Sequence, residues 1–351
     1  YLLKSLGGIL ELNVEKIRFQ KEADGKYYFY PAAPELKKVF QGIDYPLRFG
    51  YDRIIRCLGF RFDHKIFAEG VEFSFDKFKN KYPIIKHNYE STLIPDLFYG
   101  GSIAHSLDIK RSSGGFIAGM RYTSKILWNL LEWKNYGARW PSSGVQPMTN
   151  LLPKTLHRFS ETSAMWHMPA YMADIVLIRN GGKNYEYLEE FPLNLVPEIE
   201  KHTGHKVGPE GIIVQVLQFG RNYTGEISDT MQPGRNRFQA STAYRAALLH
   251  PTFYYYKTPP TYEDFANRNV RQIMPRPDRL HYLTDDPHQQ WDAPHRHVLS
   301  TRRHFELVMG TDMRYFFGED CLTLAMTNKE LPLSCQLDVK NQPHIVGRMS
   351  G

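Results

Sequence analysis

The sequence predicts an α/β protein, with an α/β segment over residues 51–141 followed by an α+β domain over residues 142–351. Three observations predict it. Residues 97–131 read LFYGGSIAHSLDIKRSSGGFIAGMRYTSKILWNLL, a short strand, a glycine turn, a loop and then a helix. Beyond it, three apolar runs have strand length: YMADIVLI at 171–178, IIVQVLQF at 212–219 and HPTFYYYK at 250–257. Between the two regions, residues 141–151 read PSSGVQPMTNL, a linker-like composition.

Residues 1–50 read as strand-rich. Leu10, Leu12, Val14 and Ile17 alternate loosely, Ala23-Asp24-Gly25 marks a turn, and residues 27–30 return as a second strand. The stretch YDRIIRCLGFRFD at 51–63 is expected to hold a buried strand, with Ile54, Ile55 and Leu58 as its apolar body and Gly59 at its end. In the 97–131 stretch, Gly100 and Gly101 stop the strand. The helix then opens on Ser112, Ser113, Gly114 and Gly115, with either serine able to cap it. Phe116, Ile117, Met120, Leu127, Leu130 and Leu131 give the helix an apolar face, and Gly137 with Pro141 ends it.

Two glycines in a first helical turn cost helix stability. They are useful where bare backbone N–H groups at the positive helix end must touch an electron-rich group. A phosphate, a carboxylate or the pyrimidine edge of a reduced flavin would each serve. The plainer reading is a glycine-rich turn under a helix packed tightly on a sheet. His105 and Arg111 precede the helix, as contacts to a ligand or as solvated loop residues.

In the second domain, residues 152–165 read as a helix, 171–178 as a strand ended by Asn180-Gly181-Gly182, 185–191 as a second strand or a short helix, and 193–202 as helical. Residues 258–297 read as loop-rich and 304–326 as helical material broken at Gly310 or Gly318. Tyr254, Tyr255 and Tyr256 alternate sides of their strand. If one face were open they would offer an aromatic surface to a protein partner.

The chain has 351 residues, 22 Tyr, 21 Phe and a formal charge of +7, enough for two cores and well outside a disordered composition. No basic stripe interleaved with aromatics is present, so nucleic acid is not expected as a partner. No apolar run reaches the ~20 residues of a membrane span. The first residue is Tyr1 and the last three are Met349-Ser350-Gly351. Both ends look cut, and no targeting signal can be read from them. Cys57, Cys321 and Cys335 form no Cys-x-x-Cys pair. Cys57 reads as a small core residue, and the other two can pair only in an oxidising compartment.

His281, His288, His295, His297 and His304 cluster with Asp285 and Asp286 but lack fixed ligand spacing, so a solvated loop is preferred and no metal site is assigned. Glu189, Glu190, Glu198 and Glu200 read as surface charge without a partner base. Gly-x-Ser-x-Gly, Walker and His-Glu-x-x-His patterns are absent from the sequence. So is Gly-x-Gly-x-x-Gly, the cradle of a dinucleotide pyrophosphate.

Arg56-Cys57-Leu58-Gly59 and Tyr99-Gly100-Gly101-Ser102 carry a resemblance. They are similar to the Ala-Thr-Gly strand end and the Tyr-Ala-Gly-Asp turn of flavoproteins with two dinucleotide folds, the class of flavin-containing monooxygenases and thioredoxin reductases. The phrases YDRIIRCLGFRFD, KYPIIK, SGGFIAGMRYT, YEYLEEFP, GRNYTG, HPTFYYY and GTDMRYFF resemble the FAD-dependent oxidoreductase domain-containing protein 2 family over residues 51–317. Ser102 departs from the wider pattern, standing where an Asp would bind the ribityl chain.

The resemblance implies the C-terminal half of a two-dinucleotide-binding-domain flavoprotein fold. Residues 1–50 would be a remnant of the nicotinamide domain and its connection, 51–141 the second half of the FAD domain, and 142–351 a domain able to bind partners. It implies FAD against Gly59, Gly101, Ser102, Gly114, Gly115 and Phe116, with NADPH as reductant and no catalytic residue assigned. The absent pyrophosphate cradle fits a fragment lacking its N-terminal half. The resemblance further implies the endoplasmic reticulum lumen and a role in degradation of misfolded glycoproteins, with quality-control and degradation-machinery proteins as partners. In that setting Asn222, in Asn222-Tyr223-Thr224, would be glycosylated. The alternative is an inactive flavoprotein-fold scaffold that binds glycoproteins or degradation-machinery partners.

Overall fold

The computed structural model describes residues 17–33, 50–55, 61–75, 81–108, 112–218, 249–268, 272–283, 298–310 and 313. The chain divides into two compact units, 1–60 and 61–351.

In the first unit, β1 (Ile17–Lys21) and β2 (Tyr27–Pro31) form an antiparallel hairpin. Its turn works because Gly25 takes φ +80° and Asp24 accepts from the Lys26 N–H at 3.0 Å. The hairpin expected from the sequence is therefore present, although most of its proposed first strand lies outside the described residues. Residues 51–55 do not form the buried strand that was expected. Among the described residues only Tyr51 is bridged, to Tyr27, no strand pairs with Ile54 and Ile55, and both are exposed. Cys57, Leu58 and Gly59 lie outside the described residues.

The second unit is built on a six-stranded, wholly antiparallel sheet in the order β3-β5-β4-β6-β7-β8. The strands are β3 (Ser142–Pro147), β4 (Met172–Arg179), β5 (Asn184–Pro192), β6 (Ile212–Gln218), β7 (His250–Tyr256) and β8 (Arg279–Tyr282). Central strands β4 and β6 read as near-continuous apolar runs because both of their faces are covered. Ile175, Leu177, Ile212, Val214 and Val216 pack in one core, with Tyr122, Ile126 and Leu130 of helix α1 (Ile117–Tyr136). Val176, Ile178, Ile213 and Leu217 pack in the other, with residues of α2 (Leu151–Glu161), α3 (Ser163–His167) and α6 (Val298–Met309). The result is a mixed α/β architecture of helices on both faces of one sheet.

Coverage on both faces also removes the expected aromatic surface. Tyr254 and Tyr256 sit in the first core. Tyr255 packs against the second and donates its hydroxyl to the Glu210 carbonyl at 3.0 Å.

Helix α1 ends as expected, with Gly137 in the left-handed conformation at φ +68°. The predicted 152–165 helix is two helices broken at Thr162, whose extended backbone leaves α2 and enters α3. Residues 184–192 are strand, which resolves that choice. Residues 193–203 are a 3-10 segment followed by α4 (Ile199–Thr203). The region read as loop holds β8 and α5 (Tyr262–Asn267). The latter has a capping box between Thr261 and Asp264, a signal visible in the sequence. The last helix starts at Val298, ahead of its expected start, and stops where Gly310 turns to φ +65°. Residues 314–326, Cys321, Cys335 and Asn222 lie outside the described residues.

Candidate functional site

The glycine turn before α1 is organised by a side chain that sequence reasoning passed over. Asp108 ends the 3-10 segment Gly101–Leu107, and its carboxylate is almost fully buried. It accepts from His105 Nδ1 at 2.6 Å, from the Gly114 N–H at 2.9 Å and from Ser112 Oγ. A buried carboxylate with three donors is well satisfied.

This arrangement explains both glycines. A Cβ on Gly114 would lie 2.4 Å from an Asp108 oxygen, and one on Gly115 would lie 2.8 Å from His105 Cδ2 and 3.1 Å from His105 Nε2. The glycines are therefore required by the His105–Asp108 pair on the protein side. The Gly114 N–H faces Asp108 and not an outside ligand. The signal that could have revealed the pair was the His105-x-x-Asp108 spacing in a single helical turn.

Helix α1 itself starts at Ile117, later than expected, with Phe116 at its N-cap. No side chain caps it: phenylalanine has no acceptor to offer, and Ser112, four residues earlier, is engaged by Asp108. A 20-residue helix thus presents its positive end without a side-chain cap. Phe116 and Ile117 beside that end are 69% and 86% exposed. Gly101 holds φ +63° with open space around it, and Ser102 follows it into the 3-10 segment, half-buried. The structure thus gathers Gly114, Gly115 and Phe116 at one helix end. Gly101 and Ser102 open the segment that supplies His105 and Asp108.

A second polar group adjoins the turn, linked by the Ser113 N–H donating to the His167 carbonyl at 3.0 Å. Arg121 Nη2 lies 3.0 Å from Ser163 Oγ and 2.6 Å from the Tyr122 hydroxyl. That hydroxyl donates to Ser163 Oγ at 2.7 Å, and Ser163 Oγ is 3.1 Å from His167 Nδ1. None of these residues stood out in the sequence: the contacts that join Arg121 and Tyr122 to Ser163 span about forty positions, and Ser163-x-x-x-His167 alone marks no site.

Two other expectations change. Glu189, Glu190, Glu198 and Glu200 do have partner bases. Glu189 pairs with Lys154 at 2.6 Å and Arg158 at 3.0 Å, Glu190 with Lys125 at 2.9 Å, Glu198 with Lys201 at 2.6 Å and Glu200 with Lys206 at 2.8 Å. Of the histidine cluster, His281 and His304 are described. Their rings stack at 5.0 Å, which is wrong for converging on one ion, and no metal cluster occurs among the described residues. His288, His295, His297, Asp285 and Asp286 lie outside those residues.

A separate cleft of about 620 Å³ lies at the far end of α1, walled by His87, Phe98, Trp133 and Tyr262. Its rim lysines Lys86, Lys134 and Lys201 are each matched by a carboxylate, Glu90, Asp96 and Glu198. It therefore offers shape without net charge. No helix among the described residues is long and apolar enough to cross a membrane.

No family model matches the chain, and no solved structure does. Curated relatives do. The mouse (Mus musculus) FAD-dependent oxidoreductase domain-containing protein 2 is 35% identical over 348 residues, covering 96% of this chain and 52% of the mouse protein. The zebrafish (Danio rerio) protein of the same name is 36% identical over 305 residues, covering 87% of this chain and 43% of its own length. The chain spans about half the length of the curated relatives it matches. Over nearly its whole length, this chain is thus similar to proteins of the FAD-dependent oxidoreductase domain-containing protein 2 family.

Proposed function

We propose that this chain is the flavin-contacting part of an FAD-dependent oxidoreductase, with the N-terminus of α1 facing the pyrimidine side of the flavin ring. One observation carries the reading: a long helix whose positive end has no side-chain cap and is flanked by exposed Phe116 and Ile117, in a chain similar to this family. Such an end suits a flat ring that is apolar along its body and electron-rich at its edge. The residues present fit that edge of the group. They supply no pyrophosphate cradle, since Gly-x-Gly-x-x-Gly is absent from the sequence. When bound, the flavin supplies hydride and electron transfer; the chain supplies position and electrostatics.

Around that ring, Phe116 and Ile117 would exclude water and the α1 dipole would favour negative charge. Reduction by NADPH, residence in the endoplasmic reticulum lumen and a role in degrading misfolded glycoproteins with quality-control partners are further parts of the proposal. They rest on the family resemblance alone.

Phe116→Glu tests the placement. The side chain is exposed, so the change is expected to move stability by no more than about 0.5 kcal/mol. It sets a carboxylate and a lost apolar contact against the ring edge. FAD affinity in the protein at the full length of its relatives is expected to fall by about tenfold or more, read by fluorescence titration. Unchanged affinity would move the flavin away from this helix end. Gly115→Val is less clean, because it strikes His105 before any ligand.

A further inference from the structure

His105 is the titratable side chain set directly against the helix end, and its two ring nitrogens have different surroundings. Nδ1 faces the Asp108 carboxylate at 2.6 Å. A carboxylate only accepts, so Nδ1 carries the proton and the tautomer is fixed. Nε2 has no protein hydrogen-bond partner among the described residues. The Cδ2–Nε2 edge lies along Gly115, at the approach to Phe116. Asp108 cannot swing away, because Ser112 and the Gly114 N–H hold it from two sides. This is a histidine oriented by a buried carboxylate with its second nitrogen left available.

We propose that His105, positioned by Asp108, is the proton-handling group of this site and takes up a proton at Nε2 when the flavin is reduced. The inference rests on the flavin reading above. Where the bound ring would stay anionic, two-electron reduction by dithionite would give it two electrons and one proton, with one negative charge on its pyrimidine side. His105 offsets that charge by binding a second proton from solvent, so two electrons and two protons enter together. The groups around His105 are accounted for. Asp108 holds Nδ1, and the Tyr82 ring stands edge-on at 6.2 Å with Lys81 Nζ 5.2 Å from its centroid. The phenols of Tyr89 and Tyr171 pair at 2.7 Å; burial foremost, with the Asp108 charge adding to it, pushes both up. His167 is bound through its own Nδ1 to Ser163.

The test is the midpoint potential of FAD in the protein at the full length of its relatives, titrated with dithionite between about pH 5 and 9, for wild type and His105→Asn. Asparagine retains a donor to Asp108 and removes Nε2. For a two-electron couple, each proton taken up shifts the potential by about 30 mV per pH unit. Wild type is expected to fall by about 60 mV per pH unit within this range, and His105→Asn by about 30. Parallel lines with flavin retained would overturn the role of His105 and leave the flavin placement standing. If the variant does not fold, the wild-type slope decides, since a slope of about 30 mV throughout also overturns the proposal. Loss of flavin from wild type would overturn the flavin reading and this inference with it.

Discussion

Asp174→Ala is expected to destabilise the second unit by about 3–5 kcal/mol. Asp174 lies in the middle of central strand β4 with no exposed surface. Burial pushes its carboxyl above the ordinary range, and Arg158 pulls it back through bonds at 2.6 and 3.1 Å. The Tyr187 hydroxyl lies 3.0 Å from the carboxylate and 3.0 Å from Gln215 Oε1, and Gln215 donates to Thr155 at 3.2 Å.

The backbone uses the same carboxylate. Between Ala173 and Ile175 the register with β5 shifts, and Glu190 is thrown to φ +61°. Its N–H, lost from the ladder, donates to Asp174 at 2.9 Å. Removing Asp174 therefore takes from the largely buried Arg158 guanidinium its two bonds to that carboxylate, leaving it Glu189, and leaves the bulge N–H unpaired, while the Tyr187 hydroxyl keeps only Gln215. The expected result is a lower urea midpoint. The double change Asp174→Ala with Arg158→Met is expected to recover part of the loss, because no unpaired charge remains. If the single variant unfolded at the wild-type midpoint, the network would be contributing nothing.

His304→Phe is expected to remove much of an acid lability. His281 and His304 stack at 5.0 Å and 13°, both also against the Phe253 ring. Burial holds His281 down to about 4. Burial, with His281 and Arg279 nearby, holds His304 down to about 3. Both shifts are downward, so the folded protein resists protonation. As pH falls below about 6.5, the unfolded chain binds protons that the folded chain refuses, and stability is lost until the folded values are reached. Across that window the pair is expected to cost on the order of 8 kcal/mol. Phenylalanine retains the stack and removes His304 Nε2, a buried nitrogen with no hydrogen-bond partner among the described residues. Thermal melts from about pH 7 to 4 would show a shallower decline in the variant. Superimposable declines would place the lability elsewhere.

Much of the sheet was legible in the sequence because β4, β6 and β7 are apolar on both faces, and an apolar run needs no partner to be recognised. The glycines that end elements were also legible, since Gly137 and Gly310 do what glycine does wherever it stands. What escaped were features defined by distant partners. Ile54 and Ile55 look like strand residues, yet nothing among the described residues pairs with them. Glu189 and Glu190 look like surface charge until Arg158, thirty-odd residues earlier, is brought across them. The candidate site was half legible. Gly114, Gly115 and Phe116 drew notice as a glycine-rich helix start, with a ligand and a tight turn both open as the reason; what escaped was that Asp108 and His105 fill the space the glycine side chains would need.

The central claim is that this chain contributes to a bound flavin. The most direct test is the visible absorbance spectrum of two purified proteins: the 351-residue chain, and the same chain joined to the portion that its longer relatives carry. The account predicts flavin bands in the joined protein and none in the 351-residue chain, which lacks the pyrophosphate cradle. A joined protein that purifies folded and colourless, and stays so after incubation with FAD, would contradict it.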